Sequence, residues 1–242
     1  MTRIFQAMPL SLHEAVELDS QASHHLARVL RAKLGEDVVV FNGAGGEYHG
    51  VIVRIDKKTV AVQLNHFLPR EAESSLKLTL AQGISRGEKM DYTIQKAVEL
   101  GVSQIVPLLT ERCNVKLDDE RRQKRFQHWQ SIVVSACEQS GRNTVPEILA
   151  PQSFHHWLPL VQADQCFVLA PTAEKKLQQF SLQKNAHVVL LIGPEGGLSP
   201  HEITAAAKHN FSPLVLGPRI LRTETAAVAA LTALQCCFGD LG

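Results

Sequence analysis

Two stretches near the C-terminus concentrate residue types that can hold a ligand. The apolar run Val188-Val189-Leu190-Leu191-Ile192 ends in Gly193-Pro194-Glu195-Gly196-Gly197. A second run, Leu214-Val215-Leu216, ends in Gly217-Pro218-Arg219-Ile220-Leu221-Arg222-Thr223-Glu224-Thr225-Ala226. Glycine backbone lets a ligand come close. The second stretch adds the guanidiniums of Arg219 and Arg222, the hydroxyls of Thr223 and Thr225, and the carboxylate of Glu224. One Gly-Pro pair reads as an ordinary tight turn, whereas two with this polar cluster read as a binding site.

The elements that must position these turns are legible around them. Ser199 is a favoured N-cap, Pro200 suits the first helical position, and Glu202 completes a capping box. The order is therefore strand, turn, helix, strand, turn, helix. In a parallel sheet both turns fall at the carboxyl ends of strands, where open α/β sheets bind ligands.

Further strands are expected over 76–82, 104–109 and 166–170, with Pro107 at an edge or bulge position. Helices are expected over 89–100, ended by Gly101, from Leu117-Asp118 to about Ser140, and over 223–238. Phe126, Trp129, Ile132, Val133 and Cys137 would face inward on the second of these. The last helix is nearly all Ala, Val and Leu, so it must be covered. Alternating strands and helices with continuous apolar strands imply a parallel sheet covered on both faces.

Residues before the polar stretch 69–75 read differently. Strands over 37–41, 47–55 and 59–64, joined at Asn42-Gly43 and 56–58, suggest a small barrel. A short helix is expected over 23–31, with Leu26, Val29 and Leu30 on one side. Gly43-Ala44-Gly45-Gly46 is followed by a strand pattern rather than a helix, so it is a hairpin loop and not a dinucleotide-binding turn. The expected domains are 1–72, a small β unit, and 73–242, an α/β unit.

Composition sets bounds. The chain has 242 residues, 45% of them apolar, and a formal net charge of +1. That length allows one large domain or two smaller ones, and bulk charge announces no nucleic-acid partner. The five cysteines show no C-x-x-C pair or ligand spacing, which argues for reduced thiols in a cytoplasmic protein and against a metal site. No apolar run approaches the ~20 residues of a membrane span, and the first residues carry no secretory h-region.

The two Gly-Pro motifs together resemble the C-terminal signature of the SPOUT methyltransferases, most closely the RsmE family of 16S rRNA (uracil-N3)-methyltransferases. Gln82-Gly83-Ile84-Ser85-Arg86-Gly87-Glu88-Lys89-Met90-Asp91 with Gln95-Lys96-Ala97-Val98-Glu99-Leu100-Gly101-Val102 resembles that family's first catalytic-domain motif. Thr110-Glu111-Arg112-Cys113 and Glu138-Gln139-Ser140-Gly141-Arg142 also fit.

The resemblance implies an N-terminal PUA-like RNA-binding barrel and a C-terminal domain whose parallel sheet carries a deep trefoil knot. It implies S-adenosylmethionine bound in the knot, a homodimer, and methylation of one uridine N3 in the decoding region of 16S rRNA in the 30S subunit. The cofactor would contact Leu169, Pro171, Leu191, Gly193, Glu195, Gly196, Gly197, Leu216, Gly217, Ile220, Leu221, Thr223, Thr225 and Ala226.

Methyl transfer from a sulfonium is an in-line displacement that requires no metal. Uridine N3 carries a proton, so a base or a cation beside O2 or O4 would help. Arg222 is the first choice for the cation, and Glu195 and Glu224 are candidate bases. Arg3, Arg28, Arg31, Arg86 and Arg142 are candidate RNA contacts, while Lys89 reads by itself as a solvated lysine and is raised as a site residue by the family motif that it belongs to. Two alternatives stay open: a knotted methyltransferase acting on tRNA or a ribose 2′-hydroxyl, and a non-catalytic RNA-binding assembly factor.

Overall fold

A computed structural model describes residues 1–114 and 118–242. The chain forms two compact units, Met1–Glu73 with Cys137–Val145, and Ser74–Ala136 with Pro146–Gly242. The stretch 137–145, expected in the second domain, thus groups with the first unit.

The first unit holds β1 (Thr2–Phe5), β2 (Ala15–Glu17), α1 (Ser20–His24), β3 (Asp37–Phe41), β4 (Glu47–Ile55) and β5 (Val60–Leu68). Its sheet runs β1-β3-β4-β5-β2. In hydrogen bonding the expected barrel is this five-stranded path, whose end strands are not paired with each other among the described residues. The core is Ile4, Leu26, Val38, Val40, Ile52, Val62 and Leu64 with their neighbours. The expected helix over 23–31 begins earlier: Asp19 caps α1 by accepting from the Ala22 N–H. It continues as a π-helical turn over His25–Val29. That turn rotates the side chains, so Leu26 is buried while Val29 and Leu30 are exposed, contrary to expectation.

A buried charge cluster holds 137–145 to the rest of this unit. Glu47 accepts from Arg3 at 2.6 Å and Arg70 at 3.0 Å. Arg142, itself buried, donates from Nε to Glu73 at 3.0 Å. Glu138 accepts the Phe5 N–H at 3.0 Å.

The second unit contains β6 (Lys77–Gly83), α2 (Glu88–Glu99), β7 (Gln104–Leu109), most of α3 (Asp119–Ser140), β8 (Glu147–Ile148), β9 (Gln152–Ser153), α4 (Phe154–Trp157), β10 (Gln165–Leu169), β11 (His187–Ile192), α5 (Pro200–Lys208), β12 (Phe211–Leu214) and α6 (Thr223–Phe238). The expected start of α3 at Leu117 lies outside the described residues. Every ladder in this sheet is parallel, in the order β12-β10-β11-β6-β7-β8, with β9 also beside β7. Apolar β10 and β11 are covered on both faces, as their continuous runs require.

Two prolines sit where the sheet tolerates them. The Ser103 and Ile105 carbonyls accept from Glu147 and Leu149 on one side of β7. Pro107 faces that same side by the two-residue alternation, in the gap between β8 and β9, so its missing N–H costs no ladder bond. Pro213 lies in β12, an edge strand that tolerates its missing N–H, and this strand runs over 211–214 and not 214–216 as expected. Val215 turns away and donates to the Lys175 carbonyl at 3.0 Å.

α5 has the full capping box: Ser199 Oγ accepts the Glu202 N–H, and Glu202 accepts the Ser199 N–H. α6 packs against α2. Gln235 fixes the pair by donating to the Leu100 carbonyl at 2.9 Å and accepting from Ser74 Oγ at 2.7 Å. Among the described residues no helix is long and apolar enough to cross a membrane.

Candidate functional site

The carboxyl ends of the adjacent strands β12, β10, β11 and β6 lie side by side, with Leu214 beside Leu169 and Ile192 beside Gln82 in register. There the chain leaves a cavity of about 840 Å³. Its walls are Leu169–Pro171, Ile192–Leu198 and Leu214–Glu224 with Ala226, and Lys89, Arg112 and Ile203 complete it. Both Gly-Pro turns therefore line one cavity, with the end of β10 as a third wall.

A buried polar link joins the turns. Thr223 Oγ1 donates to the Gly193 carbonyl at 2.7 Å and accepts from Gln82 Nε2 at 2.9 Å. Gln82 Nε2 also reaches the Gly83 carbonyl at 3.0 Å and the Gly193 carbonyl at 3.3 Å. Gly83 is needed beside this link because a Cβ there would lie 2.5 Å from the nitrogen of Pro194. Gly217 starts the second turn with φ +91, where a side chain would be strained.

The polar groups of the cavity divide by how fully they are engaged. Glu195 accepts the Arg86 N–H at 3.0 Å and lies 3.5 Å from Lys89 Nζ. Burial alone would raise its pKa, but these bonds and its own backbone N–H outweigh that and leave it lowered. Glu195 is thus a committed, weak base that pins the first turn to the start of α2. Arg112 donates to the Gly196 carbonyl at 3.1 Å and holds the other end of that turn. Arg222 is exposed on the cavity wall, and its guanidinium makes no hydrogen bond or ion pair among the described residues. Glu224 stands in the first turn of α6, with Oε2 buried and lacking a hydrogen-bond partner. Burial pushes the thiol of Cys166 up to about 11, so it is no nucleophile.

Most expected cofactor contacts lie on the walls: Leu169, Pro171, Gly193, Glu195, Gly196, Gly197, Leu216, Gly217, Ile220, Leu221, Thr223 and Ala226, with Arg222 and Glu224. Two do not. Leu191 is fully buried in the sheet core, because strand alternation turns it away from the side that Ile192 presents. Thr225 is exposed and off the wall, on the far side of α6's first turn.

The expected RNA contacts also separate. Arg28, Arg31 and Arg86 are exposed. Part-buried Arg3 and buried Arg142 are held in ion pairs with Glu47 and Glu73, so they serve the fold of the first unit. Lys89 and Arg112, which are not among the expected cofactor, catalytic or RNA contacts, line the cavity. Lys89 lies one turn from exposed Arg86, a weak signal at best. Arg112 carries only its place in the Thr110-Glu111-Arg112-Cys113 motif that resembles the family, since its reach to the cavity depends on the fold around Gly196.

Residues 72–235 match the model of an RNA methyltransferase domain, and residues 18–65 that of an RNA methyltransferase PUA domain. Ribosomal RNA small subunit methyltransferase E of Buchnera aphidicola subsp. Schizaphis graminum is 38% identical over 240 residues, covering 99% of this chain and 97% of the relative. The protein of that name from Bacillus subtilis is 33% identical over 220 residues, covering 88% and 86%. Among solved structures, ribosomal RNA small subunit methyltransferase E from Neisseria gonorrhoeae bound to S-adenosyl methionine has a TM-score of 0.92 at 36% identity, covering 100% of each chain. The Legionella pneumophila protein Lpg2936, solved with bound SAM, has a TM-score of 0.97 at 42% identity, covering 99% of each chain.

Proposed function

The chain belongs to the ribosomal RNA small subunit methyltransferase E family, and from that premise we propose that it methylates N3 of one uridine in the decoding region of 16S rRNA. It is a methyltransferase that uses S-adenosylmethionine. The observation that carries the reading is the cavity between the two Gly-Pro turns. Its apolar walls, Leu169, Ile192, Leu214, Leu216 and Leu221, suit a neutral adenine, and its glycine-rich backbone offers donors and acceptors. The partnerless oxygen of Glu224 suits a cavity that receives a cationic cofactor.

When bound, the cofactor supplies an electrophilic methyl group. The chain's own part is to hold the uridine in line with that methyl and to exclude water, a positioning effect that lowers barriers by roughly 7–11 kcal/mol. Arg222, free on the wall, stabilises the negative charge that develops on O2 or O4 as N3 loses its proton. The Glu224 carboxylate is the base left to take that proton, since Glu195 is held by Arg86 and Lys89. Arg28 and Arg31 contact RNA phosphates. In this reading the segments after β10, β11 and β12 form the trefoil knot. A homodimer acting on the 30S subunit belongs to the same reading, with the partly exposed Val228, Ala229 and Ala233 of α6 as candidate contacts between copies.

The test is methyl transfer from labelled S-adenosylmethionine into small subunits that lack the modification, followed by mass spectrometry of the nucleosides. The reading expects one 3-methyluridine per 16S rRNA. A 2′-O-methylated product, or no transfer by protein that binds the cofactor, defeats it.

A further inference from the structure

We propose that Tyr92 is a base-stacking platform for the single-stranded RNA that flanks the target nucleotide. The inference rests on the rRNA reading above and names a contact that lies outside the cavity walls. α2 buries Met90, Thr93, Ile94, Ala97 and Val98 on its inner face. Tyr92 lies on the opposite face and is 47% exposed, so core packing does not account for the ring.

Its neighbours point to a nucleic acid. Lys89, one turn before it, lines the cavity, and Arg86 just ahead of the helix is exposed. Lys96, one turn after it, sets Nζ 5.8 Å from the ring centroid. Residues at i, i+3 and i+4 share a helix face, so cation, aromatic ring and cation follow one another away from the cavity mouth. Of the acids on α2, Asp91 is engaged by His128 at 2.8 Å and Trp129 at 3.1 Å, and Glu99 pairs with Lys96 at 2.7 Å, while exposed Glu88 lies one turn before the ring and Lys89 is 3.5 Å from Glu195. An exposed ring near a basic side chain is how proteins hold single strands, with the base on the π-face and a neighbouring phosphate within reach of exposed Arg86. A uridine drawn into the cavity leaves its stack, and its neighbour needs a surface to lie on.

Methyl transfer to unmodified small subunits is compared for wild type, Tyr92→Ala, Tyr92→Phe and Tyr92→Trp. S-adenosylmethionine affinity is followed by calorimetry and oligomeric state by sedimentation. Tyr92→Ala is expected to raise KM for the subunit roughly 5- to 100-fold. It should leave kcat, cofactor affinity and sedimentation unchanged, and Phe and Trp should restore KM. An unchanged KM in Tyr92→Ala, or Phe failing to restore it, overturns the proposal. A shift in sedimentation also overturns it, because the ring would then cover a second copy of the chain. Wild type that binds cofactor but leaves the subunits unmethylated refutes the rRNA reading itself, a result separate from any difference among the variants.

Discussion

Thr223→Val removes one atom from the link between the two turns and keeps the size and branching of the side chain. In the wild type Thr223 Oγ1 is buried, with bonds of 2.7 Å to the Gly193 carbonyl and 2.9 Å from Gln82 Nε2. Valine breaks both. Gln82 then keeps the Gly83 carbonyl at 3.0 Å and the longer contact with the Gly193 carbonyl at 3.3 Å. Two lost buried bonds, with their partners only partly satisfied, cost about 2–4 kcal/mol. At about 2–4 °C per kcal/mol for a chain of this size, the melting temperature should fall by roughly 4–16 °C. Where about 2 kcal/mol of that cost falls on the binding-competent arrangement of the turns, affinity for S-adenosylmethionine drops roughly 30-fold. Thermal melts and calorimetric titration read the two effects, and Thr223→Ser, which keeps the hydroxyl, should recover most of both. Thr223→Val with wild-type melting and affinity would refute the argument that this link holds the cavity walls together.

Three further outcomes follow from the geometry. Arg222→Ala should lower kcat by roughly 100- to 1,000-fold with cofactor affinity retained, and Arg222→Lys should recover only part, since lysine lacks the planar fork; single-turnover assays check this. Glu47, 6% exposed, would have its pKa raised by burial, but Arg70, Arg3 and His49 pull it from 4.5 down to about 2. Its folded pKa is depressed, so its contribution of about 3 kcal/mol is present above pH 4.5 and lost as pH falls toward 2; acid titration of wild type against Glu47→Gln should show the variant lacking this acid-dependent loss in the first unit. Arg28→Ala with Arg31→Ala should lower the slope of log affinity against log salt for single-stranded RNA by about 1.4, whereas an unchanged slope would remove both from the RNA interface.

The parts of the site legible in the sequence are those fixed by local chemistry. The Ser199, Pro200 and Glu202 spacing locates the start of α5 because a capping box is satisfied within one turn. β3, β4, β7 and α6 appear at their expected bounds because their periodicity or turn residues are strong. What depends on distant partners was not legible. Arg3 and Arg142 look like free cations in sequence, and only the fold reveals Glu47 and Glu73 beside them. Lys89 and Arg112 reach the cavity from α2 and from the segment after β7, so no local spacing marks them. Leu191 lies one step of strand alternation away from the cavity wall, and β12 carries a proline that an edge strand accommodates. The strands β1 and β2 are too short to show a period.

The central claim is that the two Gly-Pro turns and the end of β10 form one S-adenosylmethionine site. Hydrogen–deuterium exchange of the wild-type protein with and without the cofactor tests it most directly. Protection should appear together over 169–171, 192–198 and 214–226, with no change over 1–68. Binding that protects only one turn, or a different part of the chain, would contradict it.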